Sequence, residues 1–502
     1  MPSLLDLPLE LLVQIVEETI PVDFEATALS CRTLFAASTP FRVQYATRRK
    51  RFRNFSFSRI VQRTPEGAEV SDSDECWDEV TQATGNRILT TRGLLEYIAL
   101  DPSVAQYIQS IDLRNHWDIE EDEEMIESLH AEVPETLKSL VRTSPFIEVF
   151  SGTPEDWIEK IRLSEVHADV FLLTLLSQVQ KLNLHSRWDE LDRLNNVRSL
   201  ANQQLWPVLD MITDRANRVK EFPNAPLSML SVVQPSRDNG YDERSPLTPY
   251  VPFLKIDSVC EATLTSCIFI DDGYTGYAFD PSVILCAGKN LRKLTLESCI
   301  AGPKELSQLL SSIPNLEIFE FSHETKWHGC GHNWNAGAFL DTVQDACGRT
   351  LKELSVTIST LYGGDLGATL VDMTWFQKLA VLELDIDMLC GPAYDPSMRD
   401  LEADELDGSP AWPKLSDMLP ATIERLNLCL NTFSDDHLKC ITHLVEGLPD
   451  ARVKKLPRLE KLSISVRMDF SPTIPDVALE SLNVAKRSGF SILRLGTSIT
   501  LL

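Results

Sequence analysis

The segment LRKLTLESC, residues 291–299, contains the pattern that decides the fold. Its apolar residues fall at Leu291, Leu294 and Leu296, with two residues between the first pair and one residue between the second. The last two positions alternate with polar neighbours, which is typical of a short β-strand with one buried face. The pattern therefore predicts a strand from which the intervening residue, Thr295, points outward.

The same phrase recurs along most of the chain, about 24 to 47 residues apart in most cases and further apart near the start. Its other instances are Ile108/Ile111/Leu113, Val179/Leu182/Leu184, Leu227/Leu230/Val232, Val251/Leu254/Ile256, Leu316/Phe319/Phe321, Leu351/Leu354/Val356, Leu379/Leu382/Leu384, Ile423/Leu426/Leu428, Leu459/Leu462/Ile464 and Phe490/Leu493/Leu495. Helical patterns lie between the phrases, at residues 303–311, 340–347 and 435–446 among others. Helices in those positions can connect successive strands in parallel, so the fold class is α/β.

The repeated phrase resembles the strand segment of leucine-rich repeats. The resemblance implies an irregular leucine-rich-repeat-like α/β solenoid over residues 101–502, with parallel strands on one face and helices on the other. Regular leucine-rich repeats run at about 20 to 29 residues, so some repeats here carry insertions. The alternative is a set of unrelated α/β domains that share the phrase by chance. Under either interpretation, residues 235–252 are rich in Pro, Asp and Ser and serve as a long loop or a domain joint.

A second informative stretch, residues 4–40, reads LLDLPLELLVQIVEETIPVDFEATALSCRTLFAASTP. Pro8 suits a first helical turn, so a helix is predicted to begin near Leu7 and to end before Pro21. The apolar residues of this helix form a face too broad to be left in water, so a partner must cover it. They are Leu7, Leu11, Leu12, Ile15 and Val16. A second apolar set, formed by Phe24, Ala28, Leu29, Leu34 and Phe35, predicts one or two further helices before Pro40.

The Leu-Pro-x-Glu start and the Cys-Arg-x-Leu close of this stretch resemble an F-box. An F-box docks on a small Skp-type adaptor, which links it through a cullin scaffold to a RING subunit. The resemblance therefore implies a non-catalytic, substrate-recognition subunit of a ubiquitin ligase that holds a target protein on its repeat surface. The implied adaptor-binding or supporting positions are Leu7, Pro8, Leu11, Ile15, Leu29, Cys31 and Leu34. Many F-boxes carry Trp where this chain has Leu34, which removes a large anchor.

The predicted organisation is an F-box-like helical module at residues 1–45, a connector at 46–100 and the solenoid at 101–502. A competing hypothesis keeps the repeats but not the ligase. In that hypothesis the N-terminal hairpin is only a cap on a non-ligase scaffold protein. Binding of a Skp-type adaptor distinguishes the two.

The composition argues against several classes of partner. The formal charge of −27 and the pI near 4.8 oppose binding to nucleic-acid phosphates and to anionic lipid. No apolar stretch approaches the roughly twenty residues needed to span a bilayer, and the acidic first helix does not resemble a secretory signal. The eleven cysteines include no Cys-x-x-Cys pair, which favours reduced thiols. We therefore expect a cytoplasmic or nuclear protein without nucleic-acid or membrane partners.

The predicted connector carries a basic cluster at residues 48–53 and an acidic stretch at 64–86. The basic cluster has two interpretations, a nuclear-import signal or a solvated helix end. The interleaved Phe52, Phe55 and Phe57 indicate a packed edge. A second acidic run at 118–124 is interpreted as a solvated loop.

The usual nucleophile-elbow, phosphate-loop and dinucleotide signatures are absent from the sequence, so we expect no enzyme activity and no cofactor. One cluster has metal-ligand character, namely His323, Glu324, His328, Cys330 and His332. A zincin helix needs His-Glu-x-x-His, and here the second His comes five residues after the first, on a different face. His328, Cys330 and His332 remain weak zinc candidates in a loop. The favoured interpretation is an exposed loop with Trp327 and Trp334 as target contacts.

Overall fold

The computed structural model describes residues 4, 7–57, 88–114, 131–184, 188, 191, 203–235, 239–270, 288–326, 334–360, 372–390, 414–430, 435–466, 492–495 and 498–501. The chain divides into two compact units. The first comprises Met1–Ser236 with Ile256–Val259, and the second comprises Arg237–Lys255 with Cys260–Leu502.

The first unit contains helices, four short strands and a 3-10 turn at Gln203–Leu205. Its elements in chain order are α1 (Leu9–Glu18), α2 (Phe24–Ser30), α3 (Arg32–Ala37), α4 (Arg42–Phe52), β1 (Asn54–Ser56), α5 (Thr91–Leu100), α6 (Val104–Tyr107), β2 (Ser110–Asp112), α7 (Glu135–Arg142), α8 (Pro154–Leu163), α9 (Glu165–Leu173), β3 (Lys181–Leu184), α10 (Trp206–Asn217) and β4 (Val232–Pro235).

The four strands of the first unit pair in parallel and in sequence order. Phe55, Ile111, Leu182 and Val233 occupy one row of the register and are all buried. β1 lies inside the predicted connector, and α4 crosses the predicted boundary between residues 45 and 46. Phe52 ends α4, Phe55 lies in β1 and Phe57 follows β1. All three are buried, which agrees with their interpretation as a packed edge.

The second unit repeats strands and helices along a longer sheet. Its elements are β5 (Ser245–Pro246), α11 (Val251–Leu254), β6 (Glu261–Thr265), β7 (Cys267–Phe269), β8 (Lys293–Ala301), α12 (Pro303–Ser311), β9 (Ile318–Glu324), α13 (Ala336–Cys347), β10 (Glu353–Thr360), β11 (Val381–Asp385), α14 (Asp387–Cys390), α15 (Leu415–Met418), β12 (Arg425–Leu430), α16 (Asp435–Leu444), α17 (Leu448–Lys454), β13 (Lys461–Val466), β14 (Ile492–Leu495) and β15 (Ser498–Leu501), with a 3-10 turn at Thr248–Tyr250.

Strands β6, β8, β9, β10, β11, β12 and β13 are neighbours in that order, and each pair is parallel. The central apolar position of every strand falls in one buried row, formed by Ala262, Leu294, Phe319, Leu354, Leu382, Leu426 and Leu462. The predicted α/β class and the parallel strands joined by helical segments are therefore confirmed. A short second sheet is formed by β5, β7 and β8, so β8 takes part in both sheets.

Three of the predicted strand phrases differ from the structure. Leu227/Leu230/Val232 is displaced, because the buried register position of β4 is Val233. Val251/Leu254/Ile256 is wrong, because residues 251–254 form α11 and the strand follows at Glu261–Thr265. Phe490/Leu493/Leu495 does not continue the parallel order, because β14 pairs antiparallel with β15, which pairs antiparallel with β13.

Residues 235–252 contain the division between the two units, but much of this stretch is packed rather than open. Residues 245–254 are all buried, and the hydroxyl groups of Ser245 and Tyr250 lie 2.9 Å apart. The backbone N–H of Ser245 donates to the carbonyl of Ser266, at 2.9 Å. The segment is therefore part of the second unit's core.

A cysteine closes the strand turn in two neighbouring repeats. Cys267 begins β7 and Cys299 lies within β8. Each comes five residues after a member of the register pair Ala262 and Leu294, and both are buried. The backbone N–H of Cys267 donates to Sγ of Cys299 at 3.2 Å, and the Cys299 thiol lies 3.5 Å from the carbonyl oxygen of Leu264. Burial raises the pKa of the Cys299 thiol well above its ordinary value, so it remains neutral in this position.

Candidate functional site

The N-terminal module begins with a helix set by Pro8. The Pro8 carbonyl accepts the backbone N–H groups of Leu11 and Leu12 at 3.1 and 3.2 Å, so α1 begins at Leu9. The helix ends at Glu18, before Pro21, and α2 and α3 follow in quick succession. The predicted helix and its partner helices are therefore present.

The apolar residues of α1 divide between two surfaces. Leu12 and Val16 are buried with Phe24, Leu34 and Ala37 in the core of the module. A broad apolar face is thus only partly used by the chain itself. The remaining part of that face is left toward solvent.

Several large apolar side chains of the module are exposed. Leu7, Leu9 and Leu11 are 37%, 56% and 44% exposed, and Leu29 of α2 is 75% exposed. We call Leu7, Leu9, Leu11 and Leu29 the exposed leucine set. All four lie within one short helical module, and a concentration of large exposed apolar groups is typical of an interaction surface.

The seven residues implied by the F-box resemblance fall into three groups. Leu7, Pro8, Leu11 and Leu29 are exposed, Ile15 and Cys31 are half-buried, and Leu34 is buried in the module core.

The residue after Leu34 has the opposite environment. Phe35 is 44% exposed, and the guanidinium carbon of Arg42 lies 4.1 Å from its ring centroid. Phe35 is thus an aromatic surface residue that is not among the positions implied by the F-box resemblance. The spacing of α3 gave the signal, because Leu34 and Ala37 are three residues apart on the inner face.

The basic cluster that follows is a folded helix end. Arg48 pairs with Asp101 at 2.5 Å, and Arg49 pairs with Glu25 at 2.7 Å. The guanidinium of Arg51 lies 5.1 Å from the ring of Tyr97. These contacts match the helix-end interpretation, and the nuclear-import signal stays a prediction.

The start of the histidine-rich cluster lies in the interior. His323 is fully buried, and its ring stacks on Trp334 with 4.3 Å between centroids. Glu324 pairs with the buried Lys326 at 2.6 Å, and Lys326 also donates to the Gly240 carbonyl at 2.7 Å. These groups bind the end of β9 to the segment before β5.

The other predicted residues of this region have separate outcomes. Trp327, His328, Cys330 and His332 lie outside the described residues. Trp334 is only 4% exposed, so it is a core residue rather than a surface contact, because it packs between His323 and the phenylalanines of β9 and α13. Within the described part of the chain, no group of three His, Cys, Asp or Glu residues is placed to hold a metal ion.

The outward side chains of the second unit's strands form a polar network across the sheet. Lys293 and Thr295 of β8 both bond to the Glu320 carboxylate, at 2.9 and 2.7 Å. Ser355 and Asn427 both donate to the Glu383 carboxylate, at 2.6 and 2.8 Å. The Glu320 and Glu383 carboxylates are therefore both hydrogen-bonded by residues of neighbouring strands.

Two buried titratable groups of the first unit lie on α9. Burial, with a smaller contribution from Lys160, lowers the pKa of His167 to about 3. Burial also raises the pKa of Asp169, whose carboxylate accepts the Thr91 hydroxyl at 2.6 Å. Both side chains are suited to remain neutral, and the described hydroxyl groups that contact them, those of Ser164 and Thr91, serve as their local hydrogen-bond partners.

The described cysteines differ in redox state. Cys31, Cys260, Cys267, Cys299, Cys347 and Cys429 are free thiols. Cys440 is disulfide-bonded, so the expectation of reduced thiols is wrong for this residue. No helix in the described ranges is both long enough and apolar enough to cross a membrane.

No model of a known protein family matches the chain, and no curated protein matches it either.

Proposed function

We propose that this chain is the substrate-recognition adaptor of a Skp-cullin-F-box ubiquitin ligase. Its N-terminal module would dock on a Skp-type adaptor, and through it on cullin and RING subunits. The repeat region would hold a target protein. The chain itself would catalyse no reaction, and would act by raising the local concentration of target lysines near the charged enzyme.

The observation that carries this proposal is the division of α1 into two apolar surfaces. Leu12 and Val16 build the module's own core, while Leu7 and Leu11 remain exposed together with Leu29. The F-box resemblance selected Leu7, Leu11 and Leu29 from sequence alone. Burying a leucine side chain contributes about 1.5–3 kcal/mol, so a partner that covers these residues gains substantial binding energy.

The alternative role, a cap on a non-ligase scaffold, also has an observation in its favour. The module is continuous with the first unit, since the rings of Tyr45 and Tyr107 lie 5.7 Å apart and Arg48 bonds to both Asp101 and Ser103. A cap, however, gives no reason for the exposed leucine set.

Binding of the full chain to a purified Skp-type adaptor tests the proposal by calorimetry. We expect the double variant Leu11→Arg, Leu29→Arg to bind at least about tenfold more weakly, since buried charge without a partner is costly. The matched control is Leu100→Arg, Leu163→Arg, which alters leucines that are 74% and 64% exposed elsewhere in the same unit. The control should bind as the unmodified chain does.

Circular dichroism of both double variants checks that each remains folded. If the unmodified chain does not bind any Skp-type adaptor, the ligase role is wrong and the scaffold role is favoured. Equal loss of binding in both double variants would also contradict the proposal, because it would place the effect outside the exposed leucine set.

A further inference from the structure

Two positive charges face each other near one end of the second unit's sheet. Arg425 of β12 and Lys461 of β13 are partners in the parallel register. Neighbouring strands lie about 4.8 Å apart, and like charges directly opposite each other are destabilising. The equivalent position on β6 and β8 holds Glu261 and Lys293, which have opposite charges. The like-charged pair is thus a local departure from the pattern of this sheet.

These cations lack the compensation that others on the sheet receive. Arg292 and Lys352 pair with Glu317, at 3.2 and 2.7 Å, and Lys293 pairs with Glu320 at 2.9 Å. In the described part of the chain, Arg425, Lys461 and Arg458, which comes three residues before Lys461, take part in no ion pair.

Two carboxylates lie close to this group in sequence. Glu424 immediately precedes Arg425, and Glu460 immediately precedes Lys461. Neither forms an ion pair with the three cations in the residues that the structure describes. The cations therefore keep their capacity to bind an external anion.

The chain that leads into β13 is itself rich in cations. Residues 451–461 read ARVKKLPRLEK, with five cations and one carboxylate. Lys455 is compensated by Asp417 at 2.6 Å. Val453, which precedes Lys454 in α17, is 80% exposed. An exposed apolar residue among cations is a favourable contact for a polypeptide that also carries negative charge.

We propose that Arg425, Arg458 and Lys461 form a docking site for an extended acidic segment of a partner protein. Alternate residues of an extended chain point to the same side and lie about 6.6 Å apart, so successive carboxylates can reach neighbouring strands. A carboxylate between Arg425 and Lys461 converts their repulsion into two attractive contacts. Describing this partner as the ligase target rests on the proposed function, whereas the binding itself does not require the Skp-type adaptor.

A short acidic peptide fits this surface better than a nucleic acid does. The whole chain carries a formal charge of −27, which repels a long polyanion over most of its surface. A peptide of a few carboxylates can occupy the local positive region alone, because other charges are screened beyond about 8 Å at physiological salt. Binding of nucleic acid thus becomes an outcome of the test.

Fluorescence anisotropy with a labelled peptide of alternating Glu and Ser tests this site on the full chain. The test variant is Arg425→Gln, Arg458→Gln, Lys461→Gln. The matched control is Arg292→Gln, Lys293→Gln, Lys352→Gln, which removes the same number of charges from the same sheet where each is already paired. We expect at least about tenfold weaker binding in the test variant and a change below about twofold in the control.

A second measurement separates binding from folding. Lys461→Glu places opposite charges at the β12–β13 register position, so its thermal midpoint should rise while peptide binding falls. Equal binding by the test and control variants, or no saturable binding by the unmodified chain, would overturn the proposal. Tighter binding of a single-stranded oligonucleotide of equal charge would also overturn it. Because no adaptor is present in this experiment, its failure is distinguishable from failure of the ligase role.

Discussion

His167 is kept neutral by its surroundings. It lies on α9 at 2% exposure, and its Nδ1 lies 3.1 Å from the Ser164 hydroxyl oxygen. Burial lowers its pKa from 6.5 to about 3, with a smaller effect from Lys160. The folded state therefore takes up a proton less readily than the unfolded chain does. His167 stabilises the fold above pH 6.5, and this contribution is lost as the pH falls from 6.5 toward 3.

This shift predicts acid sensitivity that one substitution removes. Each pH unit below the unfolded pKa of 6.5 lowers the free energy of unfolding by about 1.4 kcal/mol. His167 should therefore lower it by about 2 kcal/mol near pH 5. His167→Leu should flatten that part of the pH profile, as measured by urea unfolding between about pH 5 and pH 8. The same substitution at His443, which is half-exposed on α16, is the control. A profile that His167→Leu leaves unchanged would contradict this assignment.

At the scale of single elements, α1 places adjacent leucines in different environments. Leu12 is 2% exposed in the module core, and Leu11 is 44% exposed. Leu12→Ala should cost about 2–5 kcal/mol of stability, because it leaves a cavity. Leu11→Ala should cost less than about 0.5 kcal/mol. Amide hydrogen exchange of α1 to α3 measures both, and equal loss of protection would show that the two leucines share one environment.

The repeated apolar phrase is sufficient to predict some strands of the sheet but not others. The repeated phrase correctly predicts the buried strand positions Leu294, Phe319 and Leu354. The apolar residues on either side of each position leave little choice of register. Val251/Leu254/Ile256 fits the same phrase, but positions three apart also share a helix face, and Pro252 suits the first turn of α11. The strand that follows has Ala262 at its central position, which a search for large apolar residues overlooks.

The two candidate surfaces differ in how far the sequence predicts them. The exposed leucine set was largely predictable, because it lies within one short module whose helices are evident from residue spacing. The pairing of Arg425 with Lys461 was not, because it requires the register of β12 and β13, and the phrase gives no partner for an outward side chain. The burial of Trp334 is unpredictable for the same reason, since its packing on His323 joins the segment before α13 to β9.

At the scale of the whole molecule, charge imbalance opposes folding. The chain has 74 acidic and 47 basic residues, and compaction brings the excess of like charges together. Screening shortens the range of this repulsion from about 30 Å at 0.01 M salt to about 8 Å at 0.15 M. The thermal midpoint should therefore rise over this range of sodium chloride, as measured by calorimetry. An equal rise of the thermal midpoint in tetramethylammonium chloride would show that the effect comes from screening rather than from bound sodium. A midpoint that falls with salt would mean that ion pairs such as Arg48–Asp101 outweigh the overall repulsion.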